Sequence, residues 1–423
     1  MTAPNQPHAI NAPTHSVPAQ NDRSGAPYRR LAAAALLVVF AAASLFAAPS
    51  RESSHAWLDV DTGAYADNVR EFKKVIGDQT GICAIMKADG YGCGLEMLVP
   101  VAITERIPAI GIASNEEAAK IRACGYTGRI VRVRTATAGE IRTGLPYDIE
   151  ELIGALLHAR AADAIAAEAG RLLKFHLALN AGGMDRNGLD MTLPGSLDEA
   201  VAIIRLPHLK ITGMMTHYPM EECTDVRPGL ARFNAQTAAI IGAAKLDRRS
   251  LTLHTANSFA ALNVPEARLD MVRPGSVLYQ GGCYDGFPQF KTVFSFKTRV
   301  ASVNAYPKGS TICYDRTCTL TRDSRLANLP VGYSDGYLRA FGNKGRVLVN
   351  GHSAKIMGVI TMNTFMVDVT DFPDVKPGDE VVLFGAQGSD EITDKEIEKT
   401  SGMPFYELQV LWGKLNPRFQ VGR

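Results

Sequence analysis

The sequence predicts an α/β protein in two parts, an N-terminal (β/α)8 barrel of the TIM type and a C-terminal, mostly-β domain. From residue 82 to residue 280, eight short apolar runs alternate with amphipathic stretches, a pattern typical of a parallel barrel. After about residue 290, β-branched runs are separated by turn sequences, as in an antiparallel sheet. We therefore expect a leader over residues 1–50, the barrel over 51–290 and the β domain over 291–423.

The leader is predicted to be a secretory signal. Arg29 and Arg30 precede an apolar run, Leu31–Ala47, and small residues follow it before the charged Arg51. Basic, apolar and small residues in that order are typical of an export signal. An uncleaved anchor is the alternative, although this run is at the short limit for crossing a bilayer. We expect a periplasmic protein with no stable membrane insertion after processing.

The eight apolar runs are interpreted as the strands of the barrel, and the stretches between them as helices. One such stretch, Ser114–Cys124, starts with a Ser-x-x-Glu sequence that resembles a helix-capping box. The predicted strands are Ile82–Lys87, Ala109–Ser114, Ile130–Thr135, Ile149–Gly154, Leu173–Leu179, Leu209–His217, Leu251–Asn257 and Met271–Gln280.

The β domain is predicted from short runs and the turns between them. Arg346–Val349 and Phe365–Val369 are interpreted as hairpin strands, and Asn350-Gly351 is a turn sequence.

Charge and cysteine content exclude several partner classes. The formal net charge is +2, and the chain beyond the leader is balanced between basic and acidic residues, so we expect no binding to nucleic acid. Of the seven cysteines, Cys313 and Cys318 are closely spaced, but no second Cys or His pair accompanies them. No metal site is predicted.

Polar residues collect at the ends of the predicted strands, where the chemistry of such barrels takes place. Lys87 closes the first strand and is followed by a glycine-rich stretch with Tyr91. A lysine removed from water loses its proton more easily and can then react with a carbonyl group. From its position alone, a lysine that reaches out to solvent at the barrel rim is the simpler interpretation. The glycines after Lys87, which let the backbone approach a phosphate, and the phenol of Tyr91 favour the interpretation that Lys87 is a reactive lysine.

Further polar residues end the other strands. His217 and His254 on apolar strands would, taken singly, be core histidines more often than functional ones. The complete set of such residues is Arg132, Arg134, Asn180, Arg186, His217, His254, Asn257, Ser258 and Arg273.

Several segments of the sequence resemble the alanine racemase family. Met86–Gly94 is similar to the segment that carries the cofactor lysine in that family. Further similar segments follow in the family's order and extend the resemblance from about residue 55 to the C-terminus: Ala56–Asp61, Ala113–Ala118, Met215–His217, His254–Ser258, Val272–Gly275 and Tyr314–Thr317. The resemblance implies a barrel that binds pyridoxal 5'-phosphate, and a homodimer in which each active site is completed by the other subunit.

The resemblance also implies roles for individual residues. Lys87 would carry the cofactor and act as one catalytic base, and Tyr314 from the other subunit would be the opposing base. His217 would pack against the pyridine ring, and Arg273, with His254 behind it, would donate to the ring nitrogen. The phosphate would be held by Tyr91, Ser258, the amides near Gly275 and Ser276, and Tyr406. Asn257 is a further implied cofactor-binding residue. The substrate carboxylate would be received by Arg186 and the backbone at Met362.

The sequence departs from ordinary alanine racemases at the fifth predicted strand. Ala178 stands where those enzymes carry a lysine, which is often carbamylated, and a bound anion near Arg186 is our hypothesis for its replacement. The changes resemble the periplasmic broad-specificity amino-acid racemases, and the residues predicted to set specificity are Arg132, Arg134, Ala178, Asn180, Gly182 and Asn187. Small residues there would leave room for longer side chains.

Alternatives remain open from the sequence. A strict alanine racemase is the nearest, and an aldolase or decarboxylase on the same cofactor and barrel is more distant. A cofactor-binding regulatory protein would lack the β domain. We also expect a disulfide between Cys83 and Cys124, because the barrel frame puts both at its N-terminal face.

Overall fold

The computed structural model describes residues 49–422. The apolar run of the predicted leader lies outside these residues. Within the described part of the chain, no helix is both long and apolar enough to cross a membrane.

Strands and helices alternate as far as residue 272, after which strands dominate. The strands are β1 (Ala56–Asp61), β2 (Gly81–Ile85), β3 (Ala109–Ile112), β4 (Arg129–Arg132), β5 (Ile149–Ile153), β6 (Leu173–Ala178), β7 (Leu209–Met215), β8 (Thr252–His254), β9 (Met271–Val272), β10 (Phe294–Arg299), β11 (Ser302–Tyr306), β12 (Thr311–Ile312), β13 (Cys318–Thr319), β14 (Ser324–Leu329), β15 (Arg346–Val349), β16 (His352–Met357), β17 (Phe365–Asp368), β18 (Glu380–Gln387), β19 (Asp390–Ile392) and β20 (Arg418–Val421). The helices are α1 (Thr62–Ile76), α2 (Lys87–Tyr91), α3 (Leu95–Thr104), α4 (Asn115–Ala123), α5 (Ala138–Gly144), α6 (Leu156–Glu168), α7 (Ser196–Ile204), α8 (Cys223–Ala244), α9 (Ser258–Asn263), α10 (Asp394–Ser401) and α11 (Phe405–Leu415).

The predicted barrel is confirmed, and each of its eight strands overlaps a predicted apolar run. The parallel sheet has the order β8-β7-β6-β5-β4-β3-β2-β9. Backbone hydrogen bonds from Asp270 to Leu253 (3.1 Å) and from Arg273 to Ala256 (2.9 Å) link the two end strands, so the sheet is nearly closed. Ser114 and Glu117 form the capping box that was predicted at the start of α4.

The barrel interior explains why the predicted Cys83–Cys124 disulfide is wrong. Cys83 is buried in a cluster with Ile85, Val131 and Met271 on the inner face of the sheet. Cys124 follows α4 in the outer layer and packs against a different cluster. A side chain that points into a barrel cannot meet one outside it, and both thiols are free.

The mostly-β domain is also confirmed, and its sheet includes a strand from the N-terminal part of the chain. The sheet has the order β11-β14-β17-β16-β15-β18-β10-β1-β20, with β19 on β18, while β12 and β13 form a separate hairpin. β1 pairs antiparallel with β10 and parallel with β20, although it lies inside the 51–290 range predicted for the barrel. The hairpin turn at Asn350 and Gly351 connects β15 and β16, with positive φ at both residues, as a tight hairpin turn requires.

Helix α11 connects the core of the β domain with the end of the barrel. Phe405, Leu408 and Trp412, at helical spacing, are buried in an aromatic core. Tyr406 and Val410 lie on another face of the helix and line a cavity at the barrel. A Cβ atom on Gly413 would lie 2.0 Å from the carbonyl oxygen of Gly92, so this glycine lets the helix approach the segment after Lys87.

Candidate active site

A cavity of about 390 Å³ lies at the carboxyl ends of the barrel strands. It contains ten of the predicted site residues, namely Lys87, Tyr91, Arg186, His217, Asn257, Ser258, Arg273, Gly275, Ser276 and Tyr406. A larger crevice of about 830 Å³ lies elsewhere, lined by Asp59, Lys297 and Phe384 among others, and holds none of them. The smaller cavity is therefore the candidate active site.

Lys87 is presented by a turn with unusual backbone geometry. Ala88, Asp89, Gly90 and Tyr91 all have φ between 54° and 66°, in the left-handed region. Each non-glycine residue in that region costs roughly 1–2 kcal/mol, so the surroundings must hold the turn in place. Gly90 donates to the carbonyl of Met86 (2.8 Å), which closes the turn.

Side chains from both domains hold this turn. The Asp89 amide donates to Glu117 of α4 (3.2 Å), and the Asp89 carboxylate pairs with Lys120 (3.2 Å). Arg418 of β20 binds the other Asp89 oxygen at 2.5 Å. The position of Lys87 thus depends on a strand more than 300 residues away in the sequence.

The electrostatics of the cavity favour a deprotonated Lys87. Removal from bulk solvent, with the positive charge of Arg186, lowers the pKa of Lys87. Arg186 also faces the cavity and has no hydrogen-bond or ion-pair partner among residues 49–422. A free guanidinium at the cavity can bind a carboxylate or another anion.

His217 and Arg273 lie close together on a wall of the cavity. Burial, and then the charge of Arg273, lowers the pKa of His217 to about 3, so the imidazole is neutral. Burial also lowers the pKa of Arg273 to about 10, which leaves it a cation and an obligate donor at neutral pH. Arg273 donates to the carbonyls of Thr216 (2.9 Å) and Thr255 (3.0 Å). His254 lies behind it, as predicted, at 2.8 Å.

Hydroxyl groups and backbone amides converge at another part of the cavity. Ser258 accepts from the amide of Gly275 (2.9 Å), and the hydroxyls of Ser276 and Tyr284 are 2.7 Å apart. A Cβ atom on Gly275 would lie 2.3 Å from the Tyr91 hydroxyl, so a side chain there would fill the space between them. These donors, together with Tyr406, form a compact neutral cradle.

Of the predicted site residues in the β domain, Tyr406 lines this cavity, but Tyr314 and Met362 do not reach it. Tyr314 and Met362 are 71% and 55% exposed, and neither lines it. Tyr333, 39% exposed, belongs to the same region as Met362, because the amide of Ser334 donates to the Met362 carbonyl (3.0 Å). Two tyrosines and a methionine are therefore exposed on the β domain of a single subunit.

The predicted specificity residues on β4 face away from the cavity. Side chains alternate along a strand, and Val131 and Val133 take the inward positions, so Arg132 points to the helix layer. There it is buried and binds Glu151 (2.7 Å). Arg134 pairs with Glu140 at the start of α5. Neither arginine is placed to contact a ligand in this cavity.

The remaining predicted specificity residues shape the surroundings of the cavity. Ala178 packs inside the barrel with Met215, which lines the cavity. Asn180 binds Asp185 (2.6 Å) within the loop after β6. Gly182 lies against the end of β7, since a Cβ atom there would be 2.0 Å from the His217 carbonyl oxygen. Asn187 is half-buried in the same loop and does not line the cavity.

Several polar residues of the cavity and of the barrel interior were not predicted from the sequence. Glu221 lines the cavity and accepts from Asn257 (3.1 Å), and burial raises its pKa. Glu150 and His176 are buried inside the barrel and hydrogen-bonded to each other at 2.7 Å. The available signal was a charged or polar residue within an apolar strand, which is costly to bury without a partner.

Comparisons with known proteins agree with this geometry. A family model described as the N-terminal domain of alanine racemase matches residues 60–282, and one described as its C-terminal domain matches residues 293–420. A broad specificity amino-acid racemase of Pseudomonas putida is 48% identical over 408 residues, which are 93% of this chain and 100% of that protein. A lysine racemase of Proteus mirabilis is 44% identical over 368 residues, 87% of this chain and 90% of that protein.

Solved structures show the same fold. Alanine racemase from D-cycloserine-producing Streptomyces lavendulae is 26% identical, has a TM-score of 0.79 and covers 89% of this chain and 98% of its own. The chain belongs to the alanine racemase family.

Proposed function

We propose that the protein is a pyridoxal-phosphate-dependent racemase that interconverts the L and D forms of several amino acids. One observation carries the proposal: Lys87, with a lowered pKa, shares one cavity with two arginines, Arg186 and Arg273. Arg186 is the group for the substrate carboxylate, and Arg273 is the group for the cofactor ring. The relative from Pseudomonas putida supports the breadth of the substrate range.

The chemistry of the cavity fits the proposed cofactor. The hydroxyls of Tyr91, Ser258 and Tyr406, with the amides near Gly275, would hold its phosphate, since neutral donors suit a phosphate bound close to the backbone. His217 would pack on the ring, and Lys87 would hold the cofactor covalently. When bound, the cofactor delocalises the electron pair left on Cα after proton removal. Arg273 stays protonated and would donate to the ring nitrogen, which would keep that nitrogen unprotonated and limit transamination.

Racemisation requires a base on each face of Cα. Lys87 Nζ removes or returns the proton on one face. Of the other titratable side chains at the cavity, His217 is too acidic as an imidazolium to accept a proton usefully. Tyr91 and Tyr406 belong to the phosphate cradle, and Glu221 is bound to Asn257 beside that cradle. The second base must therefore come from outside this cavity wall.

We propose that Tyr314 of the partner subunit is that base. In one subunit the tyrosine is exposed, together with Tyr333 and Met362, as expected of residues that cover another surface. A homodimer that places each β domain over the other subunit's cavity would bring the backbone at Met362 to the substrate carboxylate as well.

Substrate breadth is assigned to the space near Ala178 and to Arg186. Ala178 leaves room beside Met215 where a lysine would fill the barrel interior. A bound anion near Arg186 would replace the negative charge of a carbamylated lysine. We also propose that residues 1–50 direct export to the periplasm, which cell fractionation of the complete chain tests.

The proposed function is tested by chiral chromatography on the purified protein with added pyridoxal phosphate. Single L-amino acids are supplied, with Lys87→Ala as the control. We expect D-lysine, D-arginine and D-methionine as well as D-alanine, and none of these from the variant. Turnover of alanine alone would show that the protein is a strict alanine racemase. Cleavage or loss of carbon dioxide without racemisation would favour an aldolase or a decarboxylase.

A further inference from the structure

A continuous chain of buried hydrogen bonds runs from the cavity through the barrel interior. Arg273 Nη1 is 2.8 Å from His254 Nδ1, and His254 Nε2 is 2.6 Å from His176 Nδ1. His176 Nε2 is 2.7 Å from a carboxylate oxygen of Glu150. Arg129 then binds both Glu150 oxygens at 2.8 Å. The chain crosses strands β9, β8, β6, β5 and β4.

The chemistry at its two ends fixes every proton between them. Arg273 can only donate, so His254 Nδ1 must accept and its proton must be on Nε2. That proton is donated to Nδ1 of His176, whose own proton is then on Nε2. Glu150 accepts it. Arg129 Nη2 and His176 Nε2 are 3.4 Å apart, but with this assignment both are donors and do not bond each other, since each donates to the same oxygen of Glu150.

Burial keeps both imidazoles neutral, as the assignment requires. His176 is completely buried, His254 almost so, and burial lowers the pKa of each. Burial alone would raise the pKa of Glu150, but hydrogen bonds from Arg129 and His176 hold it well below its usual range. Thr212 donates a further hydrogen bond to the same carboxylate (2.9 Å). Glu150 is thus an anion that accepts from every neighbour.

We propose that Glu150 and His176 are positioning residues that hold His254 as its Nε2–H tautomer and thereby aim Arg273 into the cavity. An imidazole in the other tautomer would present an N–H to the guanidinium, and two donors would face each other in a buried site. The same logic governs histidines that are oriented by a second hydrogen bond. The effect on the reaction rests on the proposed cofactor, whereas the tautomers belong to the protein itself.

A carboxylate is required at the end of this chain of hydrogen bonds. Glutamine at position 150 has one accepting and one donating group, while Arg129 and His176 both need an acceptor. Arg129 binds both oxygens, so Glu150→Gln creates a donor–donor contact with Arg129 in either orientation, and a further one with His176 when the amide group takes the place of Oε2. If the amide group of the new side chain faces His176, the tautomers of His176 and His254 both reverse. The donor–donor contact then lies between His254 and Arg273.

The test is ¹⁵N NMR of the full-length protein labelled at histidine, without cofactor, because protonated and unprotonated ring nitrogens have well-separated shifts. His176→Phe and His254→Phe spectra assign the signals. We expect neutral Nε2–H tautomers for both residues in the wild type. Glu150→Gln should add an Nδ1–H population at His176 or broaden its signals.

Glu151→Gln is the matched control. Glu151 is the next residue on β5, is equally buried and also binds an arginine, Arg132, but lies outside the chain of hydrogen bonds. Glu151→Gln should lower the stability of the protein to a similar degree and leave the tautomers of His176 and His254 unchanged.

Cofactor affinity is the second measurement. The apoenzyme of Glu150→Gln should bind pyridoxal phosphate more weakly, and its kcat/KM should fall about 10- to 100-fold, as for other residues that orient a functional histidine. Wild-type histidines in the Nδ1–H form would overturn the proposal, and so would wild-type tautomers in both Glu150→Gln and Glu150→Leu, since leucine removes every acceptor for His176. Correct tautomers in a protein that does not bind the cofactor would instead count against the proposed function alone.

Discussion

At the scale of single residues, Lys87 combines two properties that the candidate site needs. Its backbone is fixed by a left-handed turn, and its amine is shifted towards the neutral form by its surroundings and by the charge of Arg186. A neutral amine is the reactive form. The same arginine therefore serves two purposes, since it is also the free cation available to a substrate carboxylate.

Substitution of Arg186 should change the titration of Lys87. A lowered pKa means that Lys87 loses its proton at a lower pH than exposed lysines do. In Arg186→Met the neighbouring cation is absent, so the ammonium form gains stability and the pKa rises. Competitive labelling of the apoprotein with an amine reagent across pH should show the Lys87 midpoint moving upward. Lys245, outside the site, is the internal reference, and an unchanged or lower midpoint would contradict this account.

Gly182 should tolerate no side chain. Its Cβ position is 2.0 Å from the His217 carbonyl oxygen, a backbone atom that cannot move without moving His217. Gly182→Ala is expected to lower the free energy of unfolding by about 1–3 kcal/mol and to weaken cofactor binding. Gly242→Ala on α8 is the control, because a Cβ atom there meets nothing within 4 Å and helical alanine is favourable. Equal stability of the two variants in urea melts would show that the close approach is unimportant.

At the scale of elements, strand ends were predictable and partnerships between strands were not. The run that ends in Lys87 and the alternation of strands and helices follow from local sequence, so the barrel and the cavity residues at its strand ends could be predicted. Ser276 and Tyr406 came only from the resemblance to the alanine racemase family. Arg132 was misplaced because the direction of a side chain depends on which strand residues face inward. β1 was assigned to the barrel because its pairing with β10 is made more than 200 residues later in the chain. The hydrogen bond between Glu150 and His176 was missed for the same reason.

The turn after Lys87 should loosen when its anchor is weakened. Asp89→Asn keeps a residue that tolerates positive φ but removes the charge that binds Arg418 and Lys120. A charge-assisted hydrogen bond contributes about 1.5–3 kcal/mol, so the amides of Gly90 and Gly92 should exchange with solvent at least tenfold faster. Hydrogen exchange read by mass spectrometry measures this. The amides of β7 are the reference. If Asp89→Asn leaves the protection of the Gly90 and Gly92 amides as unchanged as that of β7, Asp89 does not anchor the turn.

At the scale of the whole molecule, the two bases of the proposed mechanism lie far apart on one chain. Its barrel presents Lys87, Arg186 and Arg273 to a cavity, while its β domain exposes Tyr314 and Met362 away from that cavity. The symmetric dimer that we propose would place each exposed set over the other subunit's cavity, so every site would draw its two bases from two chains. The proposed two-base mechanism therefore requires the dimer, and the two form a single claim.

The most direct test of that claim is co-expression of two inactive variants, Lys87→Ala and Tyr314→Phe. Each homodimer lacks one base at both sites and should racemise lysine or alanine at least about 100-fold more slowly than the wild type. A mixed dimer has one site without either base and one complete site, so co-expression should restore about a quarter of the wild-type activity. Tyr314 acting within its own chain would give no recovery in the mixture, and that result would contradict the shared active site.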